Sequence, residues 1–217
     1  MIVSRSDPIV LVTGANRGLG KEVSRQLAEQ NHIVLLTARS LEKATATVVE
    51  LGHPNLMPAQ LDVTNQGSIS ALYELVKQQF GRLDILINNA AINYDTWQHA
   101  TDADMGTVQE TFETNVFGAW RLTQTFLPLL RQSSHPRIVN VSSGAGALNG
   151  MRGGTPAYSM TKASLNALTL MLADELRGDN FLVNAVCPGW VATDMGGSGG
   201  RPVEDGAKGI VLSLIHI

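Results

Sequence analysis

The feature that most constrains the fold of this chain is a repeated alternation of short β-branched runs with longer amphipathic stretches. In the first repeat, an apolar run at residues 9–13 leads through a glycine-rich turn into a helical stretch at residues 19–30. Parallel strands need crossover connections, which are usually helices, so this alternation predicts βαβ units on a parallel sheet. Ligands bind such sheets at the carboxyl ends of the strands.

Hydrophobic periodicity predicts six strands and the helices between them. The predicted strands are residues 9–13, 33–38, 56–61, 84–87, 137–141 and 182–187. The predicted helices are residues 19–30, 41–51, 102–114, 116–130 and 157–176, with a further one that presents Ile69, Leu72, Tyr73, Val76 and Phe80 on one face and ends at Gly81. Because crossovers are right-handed, this order favours an α/β fold, a Rossmann-type doubly wound parallel sheet in three αβα layers. The length of 217 residues fits one domain, residues 1–217.

Composition excludes several classes of function. The formal net charge is −3 and no run of Lys or Arg occurs, so we expect no nucleic-acid partner. No apolar stretch reaches transmembrane length, and the first apolar run enters the glycine turn without room for a signal-peptide cleavage site. A single cysteine, Cys187, excludes an internal disulfide, and the five histidines lack metal-ligand spacing. We therefore expect a cytoplasmic protein without metal or membrane contact. Cys187 itself is expected to be a buried residue at the end of a strand.

The glycine-rich turn is a candidate dinucleotide site. Its sequence, Thr13-Gly14-Ala15-Asn16-Arg17-Gly18-Leu19-Gly20, joins the first strand to the first helix. Glycine lets the backbone approach a pyrophosphate, and a helix N-terminus offers free N–H donors. The spacing differs from the commoner Gly-x-Gly-x-x-Gly fingerprint, and a plain strand-to-helix turn is the alternative. The predicted cofactor contacts in this turn are Gly14, Asn16, Arg17, Gly18, Leu19 and Gly20.

The end of the second predicted strand indicates which dinucleotide is bound. NAD sites usually carry an acidic residue there, whereas this chain has Thr37-Ala38-Arg39-Ser40. Arg39 could clamp a 2′-phosphate, with Arg17 reaching it from the other side, which favours NADP(H). The alternative is that Arg39 pairs with Glu42 and Arg17 is solvated. At the end of the third strand, Asp62 and Val63 could border the adenine, although Asp62 could instead be an N-terminal acid of the next helix.

Tyr158 and Lys162 are candidate catalytic residues. They lie four apart at the start of a predicted helix, so both face the same side. A tyrosine whose pKa stays near its ordinary value of about 10 is a poor acid–base catalyst at neutral pH, and a nearby ammonium is expected to lower that pKa. Tyr158 could then give a proton to a carbonyl oxygen as hydride arrives, or take one in the reverse reaction.

Together these motifs make the chain resemble the short-chain dehydrogenase/reductase family, in its compact, carbonyl reductase-like branch. The resemblance runs from Ile9 to about Ala207 and follows the family's motif order. It depends on the glycine turn, Asn88-Asn89-Ala90-Ala91, Asn115, Ser142-Ser143, Tyr158-x₃-Lys162, and Pro188-Gly189 followed by Thr193.

The resemblance implies a role for each motif. Tyr158 would be the general acid/base, Lys162 would hold the nicotinamide ribose and lower the tyrosine pKa, and Ser143 would bond to the substrate carbonyl. Asn115 would fix the water through which Lys162 reaches solvent. The remaining cofactor contacts would come from Asn89, Ala90, Pro188, Gly189, Val191 and Thr193. From the residues alone, the serines could instead end a strand and Asn115 could cap a helix.

The expected reaction is the NADPH-dependent reduction of a small-molecule ketone or aldehyde. Its substrate pocket is expected in the loops, where such folds diversify, although ordinary packing is the alternative for each side chain. The candidate pocket residues are Tyr94, Trp97, Ala145, Met151, Trp190 and Met195. An NADP-dependent secondary alcohol dehydrogenase and a catalytically idle NADPH-sensing protein remain alternatives.

The chain departs from the family pattern at three places. Ala91 stands where glycine is more common, and the interval from Ser143 to Tyr158 is slightly longer than is usual in the family, but far too short for the inserted helix of its monomeric carbonyl reductases. The helices at residues 116–130 and 157–176 would then be free to pair, so we expect a homodimer or homotetramer. The family normally continues through a further helix and a seventh strand, and this chain stops soon after Ala207. Residues 212–217 resemble a translated sequencing adapter, so residues 207–217 are expected to be an atypical, truncated tail without the seventh strand.

Overall fold

The computed structural model describes residues 7–214, which form a six-stranded parallel sheet between two layers of helices. The strands are β1 (Ile9–Val12), β2 (Ile33–Ala38), β3 (Leu56–Gln60), β4 (Ile85–Asn88), β5 (Arg137–Val141) and β6 (Leu182–Val186). The helices are α1 (Gly18–Glu29), α2 (Leu41–Leu51), α3 (Gln66–Phe80), α4 (Met105–Phe112), α5 (Ala119–Leu130), α6 (Pro156–Glu175) and α7 (Val203–Leu212). The strand order is β3-β2-β1-β4-β5-β6. This confirms the predicted Rossmann-type αβα architecture, whose order reverses between β1 and β4.

Alternate residues of each central strand face opposite helical layers. Ile9 and Leu11 of β1 belong to the hydrophobic core formed with α3, α5 and α6, where Phe126 is completely buried. Val10 and Val12 belong to the core formed with α1, α2 and α7. A parallel sheet is covered on both faces, so its strands are apolar along their whole length rather than at every second position.

Helix ends follow the local signals in the sequence. Ser40 caps α2 by accepting the N–H of Lys43, and α2 ends at Gly52 in the left-handed region with φ of 61°. Asn65 caps α3, which ends at Gly81 with φ of 70°. Glycine is favoured at such ends because it adopts positive φ without a steric penalty.

The two helices predicted at residues 102–114 and 116–130 are joined without a break, which corrects the prediction. The first begins at Met105, because Asp104 accepts the N–H of Thr107 and caps it. A π-helical segment, Glu113–Gly118, then connects α4 directly to α5. A π-helical turn holds about one residue more than an α-helical turn, so the spacing of the apolar residues shifts at this segment. In the sequence, this shift resembles the boundary between two separate helices.

The segment expected to be an atypical, truncated tail, residues 207–217, begins inside a regular helix. Residues Val203–Leu212 form α7, which packs against α1. The side chains of Ala207 and Ile210 are fully buried in this contact. Helix α7 therefore completes one helical layer, and residues 215–217 of the predicted tail lie outside the described residues.

Within residues 7–214, no helix combines the length and the apolar character that crossing a membrane requires.

Candidate active site

A cleft of about 1120 Å³ opens at the carboxyl edge of the sheet. Its walls are the loops that follow β1, β4, β5 and β6, together with the start of α6. This is where a doubly wound sheet places its ligands, because the connections leave β1 and β4 in opposite directions. All the predicted cofactor contacts line it: Gly14, Asn16, Arg17, Gly18, Leu19, Gly20, Arg39, Asp62, Val63, Asn89, Ala90, Tyr158, Lys162, Pro188, Gly189, Val191 and Thr193.

The glycine turn packs directly on the loop after β4. Gly14 has φ of +62°, and a Cβ atom on Gly20 would lie 2.5 Å from the side-chain nitrogen of Asn89. Larger residues would therefore separate the two loops. Beyond the turn, α1 begins at Gly18, and the side chain of its N-cap residue, Arg17, does not cap the first turn, so the N-terminal N–H groups can bind an anion.

Thr13 bonds the glycine turn to the loop after β4, and no motif in the sequence predicted this role. Its hydroxyl oxygen accepts the N–H groups of Asn89 and Ala90, both at 2.9 Å. The Asn89 amide in turn donates to the carbonyl oxygen of Thr13 at 2.8 Å. The only sequence signal was a polar residue at the end of an apolar strand.

The two arginines at the cleft have different surroundings. Arg39 is exposed at the cleft wall, and within residues 7–214 no ion pair joins it to Glu42. Arg17 forms an exposed ion pair with Asp194, with Nη1 and Oδ2 2.9 Å apart. Arg39 is therefore available to an anion at the cleft, whereas Arg17 is bonded to the loop after β6.

Asp62 lines the cleft and does not cap the following helix. Its Oδ1 accepts the N–H and the hydroxyl of Thr64, at 2.9 and 2.7 Å. The cap of α3 is Asn65 instead. The Asp62 carboxylate thus orders the loop that forms one wall of the cleft.

Ser143, Tyr158 and Lys162 meet at the cleft below the loop after β6. Ser143 follows β5, and Tyr158 and Lys162 lie on the first turns of α6. The Lys162 ammonium donates to the carbonyl oxygen of Val141 at 2.7 Å and lies 5.4 Å from the centroid of the Tyr158 ring. The predicted four-residue spacing therefore places both side chains on the cleft side of the helix.

The structure corrects the predicted direction of the Tyr158 pKa shift. Burial raises this pKa above its ordinary value, and the interaction with Ser143 only partly opposes the shift. Burial also lowers the pKa of Lys162 to about 8. The Lys162 ammonium lies beside the ring and bonds to the backbone of β5, so desolvation dominates over charge attraction. Tyr158 is consequently a protonated phenol at neutral pH, as a proton donor must be.

The structure distinguishes the two serines after β5. The Ser142 hydroxyl donates to the side-chain oxygen of Asn166 on α6 at 2.6 Å and is buried. Ser143 is half-buried and turns toward Tyr158. Ser142 thus holds the end of β5 to α6, whereas the Ser143 hydroxyl, which also accepts the N–H of Ala145 at 3.2 Å, faces Tyr158 at the cleft.

Asn115 is buried in the π-helical segment and does not line the cleft. Its Oδ1 accepts the N–H of Ile92 at 2.9 Å, and its Nδ2 donates to Thr161 at 3.2 Å. It is therefore not a helix cap, which was the alternative interpretation. π-Helical segments in α-helices frequently mark functional sites. Here the segment ties the loop after β4 to α6, which carries Tyr158 and Lys162.

Three of the six predicted pocket residues line the cleft: Tyr94, Trp190 and Met195. The ring of Tyr94 packs edge-on against that of Tyr158, with centroids 5.1 Å apart. The structure does not bring the other three, Trp97, Ala145 and Met151, to the cleft. Trp97 is 67% exposed, and Ala145 and Met151 lie in the connection between β5 and α6.

Two further residues differ from expectation. Cys187 is exposed and lines the cleft, because β6 ends at Val186 and the chain has already turned into the loop. Asp95 is fully buried and accepts hydrogen bonds from the start of α6. No local pattern identifies Asp95, because its partners on α6 are more than sixty residues away along the chain.

No group of three or more His, Cys, Asp or Glu side chains in the described part of the chain could hold a metal ion.

Comparisons with known proteins agree with this geometry. The family profile described as short chain dehydrogenase matches residues 8–202. The chain is 40% identical to the short-chain dehydrogenase anuI of Penicillium roqueforti, over 94% of this chain and 87% of that protein. It is 37% identical to (+)-neomenthol dehydrogenase of Arabidopsis thaliana, over 94% of this chain and 90% of that protein. That second alignment runs over 270 positions, so the plant protein carries inserted residues that this chain lacks.

A solved structure of a carbonyl reductase has the same fold. The NADPH-bound carbonyl reductase from chicken fatty liver superimposes with a TM-score of 0.88 at 31% identity, covering 97% of this chain and 92% of that one. The family profile, the relatives and the superposition thus confirm the resemblance on which the site residues were chosen. The chain belongs to the short-chain dehydrogenase/reductase family of oxidoreductases.

Proposed function

We propose that this protein reduces a ketone or aldehyde to the alcohol with NADPH. The observation that carries the proposal is the convergence of Ser143, Tyr158 and Lys162 at one cleft large enough for a dinucleotide and a substrate. A protein that only sensed NADPH would have no need to keep a buried lysine against the ring of a buried tyrosine.

The residues of the cleft fit NADPH. The glycine turn leaves no room for a Cβ atom on Gly20, and the uncapped start of α1 offers N–H donors to a pyrophosphate. Arg39, at the end of β2, would hold the 2′-phosphate by paired charge-assisted hydrogen bonds. When bound, NADPH supplies a hydride. The relative named as NADPH-bound carbonyl reductase supports this choice of cofactor.

The protein's part in the reaction is to bind the carbonyl and deliver a proton. The Ser143 hydroxyl would donate to the carbonyl oxygen and orient it toward Tyr158. The phenol of Tyr158 would then protonate that oxygen as negative charge develops on it. Lys162 would hold the nicotinamide ribose and favour the phenolate left behind. Asn115 would support this arrangement by tying the loop after β4 to α6, as its bonds to Ile92 and Thr161 indicate.

The test is a panel of aryl ketones, keto esters and aldehydes, with the alcohol product identified and NADPH and NADH supplied in parallel. We expect alcohol formation with NADPH for at least one class and weaker turnover with NADH. Heat stabilisation by NADPH checks in the same samples that the cofactor binds. A folded, NADPH-stabilised protein that reduces no member of the panel and oxidises no secondary alcohol contradicts the proposal.

A second candidate function is the reverse reaction, NADP-dependent oxidation of a secondary alcohol. The similarity to (+)-neomenthol dehydrogenase favours it. The same groups serve in this direction, with Tyr158 accepting the proton as phenolate, which requires a higher pH because burial raises its pKa. Comparing the two directions across pH decides between them: an optimum for oxidation near neutral pH would favour the dehydrogenase.

We also propose that the protein assembles as a homodimer or homotetramer through α5 and α6. Apolar side chains are exposed on this side of the molecule, including Trp120 on α5 with Leu170 and Met171 on α6. Patches of this kind mark interfaces between subunits. Light scattering on the wild-type protein and a Trp120→Glu variant tests this, and a wild-type monomer at micromolar concentration contradicts it.

A further inference from the structure

The catalytic helix α6 begins in an unusual way. Its N-cap residue, Thr155, has φ of 51° and ψ of 49°, in the left-handed region, and its side chain does not cap the helix. A β-branched residue rarely adopts positive φ, and the residue before a proline disfavours helical conformations. The hydroxyl of Thr155 bonds instead to that of Ser159 at 2.9 Å. The first N–H groups of α6 therefore need an acceptor from elsewhere.

Asp95 supplies that acceptor from the loop after β4. Its Oδ2 accepts the N–H of Ala157 at 2.9 Å, and its Oδ1 accepts the N–H of Tyr158 at 3.0 Å. Asp95 is completely buried, and the amide of Gln98 donates to Oδ2 at 3.2 Å. Both carboxylate oxygens are thus committed, one of them to the backbone of the tyrosine itself. A carboxylate at a helix N-terminus is also stabilised by the helix dipole.

The neighbouring residue holds the same tyrosine from the side of the cleft. Tyr94 packs edge-on against the Tyr158 ring, so two successive residues fix the backbone and the ring of Tyr158. A carboxylate in direct contact with the backbone of a reacting residue determines where its hydroxyl lies relative to Ser143 and Lys162. Errors of about 1 Å in such placement cost roughly 100-fold in rate.

We propose that Asp95 is a positioning residue, which sets the height and orientation of Tyr158 by capping α6 from the loop after β4. This inference rests on the proposed function, because it requires that Tyr158 donates the proton. It predicts that removing the carboxylate lowers kcat while leaving the binding of cofactor and carbonyl nearly unchanged, since Asp95 itself does not line the cleft.

The experiment compares Asp95→Ala and Asp95→Asn with the control Asp104→Ala. Asp104 lies in the same connection and its side chain also caps a helix, α4, but it does not line the cleft, and only its backbone N–H, which the substitution keeps, bonds to Gln98. We expect Asp95→Ala to lower kcat by about 10-fold or more, with the KM of the carbonyl and the Kd of NADPH within about 2-fold. Asp95→Asn should recover part of the loss, because its amide oxygen still accepts one N–H. Asp104→Ala should lower Tm and keep the wild-type kcat.

The outcomes separate this inference from the proposed function. All rates are taken below the Tm of each variant, and Asp95→Asn, which preserves side-chain volume, carries the test if Asp95→Ala does not fold. A wild-type kcat in the Asp95 variants, or a joint loss of kcat and NADPH binding, overturns the positioning role. A Tyr158→Phe variant measured alongside addresses the proposed function: if that variant retains kcat, Tyr158 is not the acid and the proposed function itself fails.

Discussion

The burial of Lys162 predicts a specific dependence of stability on pH. The side chain is 2% exposed, and burial lowers its pKa from 10.5 to about 8. Between these two values the unfolded chain holds a proton that the folded chain has released, so stability rises with pH across the window. A shift of about 2.5 pH units corresponds to about 3 kcal/mol in the free energy of unfolding. Below about pH 8 Lys162 is protonated in both states, so the free energy of unfolding is lowered by this full amount.

The assay is urea unfolding followed by circular dichroism from pH 7.5 to pH 10.5, without cofactor. It compares Tyr158→Phe with Tyr158→Phe/Lys162→Met. The phenylalanine background is needed because burial raises the Tyr158 pKa, and ionisation of that phenol only in the unfolded chain gives a slope of opposite sign. We expect the stability of the lysine-containing variant, relative to its methionine partner, to increase by about 3 kcal/mol over this range.

A stability difference that stays flat from pH 7.5 to pH 10.5 would refute the reasoning. It would mean that Lys162 remains charged in the folded protein and that its bond to the Val141 carbonyl compensates for desolvation.

Three further predictions follow from contacts at the cleft. Ser142→Ala should lower Tm, because it removes the bond to α6 and so lowers the free energy of unfolding by about 1 kcal/mol. Ser143→Ala should instead lower kcat and leave Tm nearly unchanged. Thermal melts and kinetics that show the opposite pattern would reverse the roles of the two serines. Gly146→Ala should lower kcat by about 10-fold or more, because its Cβ would lie 2.6 Å from the backbone of Lys162 and would displace that residue. The control is Gly153→Ala, whose Cβ would meet nothing within 4 Å, and it should leave kcat unchanged. Arg39→Asp should reduce the preference for NADPH over NADH by about 30-fold, because losing one charged hydrogen-bonding partner costs about 2 kcal/mol of binding free energy. If the ratio of the Kd of NADPH to the Kd of NADH is the same in the variant and the wild type, Arg39 does not bind the phosphate.

The sheet and the cofactor side of the cleft could be predicted because their signals are local. The apolar run of β1 and the glycine turn after it are consecutive in the chain, and the stop at Gly81 depends on one residue's freedom at positive φ. Topology then brings the strand ends together, since the carboxyl ends of parallel strands share one edge. This is why all the predicted cofactor contacts line a single cleft.

The features that escaped prediction depend on contacts between distant segments. The π-helical segment is stabilised where Asn115 bonds to Ile92, and α7 is stabilised where Ile210 packs into the core beside α1. The direction of the Tyr158 pKa depends on how much water the folded chain excludes, which spacing along the sequence does not encode. Asp95 resembles any other loop aspartate until the fold places it at the start of α6.

The most direct test of the account is the kcat of Tyr158→Phe against a matched Tyr73→Phe control, with the Kd of NADPH measured for both. Tyr73 packs against Phe126 in the core, away from the cleft, so its substitution controls for the loss of one phenol elsewhere. The account predicts that Tyr158→Phe binds NADPH normally and loses about 100-fold or more in kcat, while Tyr73→Phe keeps its rate. Turnover by Tyr158→Phe at the wild-type rate would contradict the assignment of Tyr158 as the proton donor.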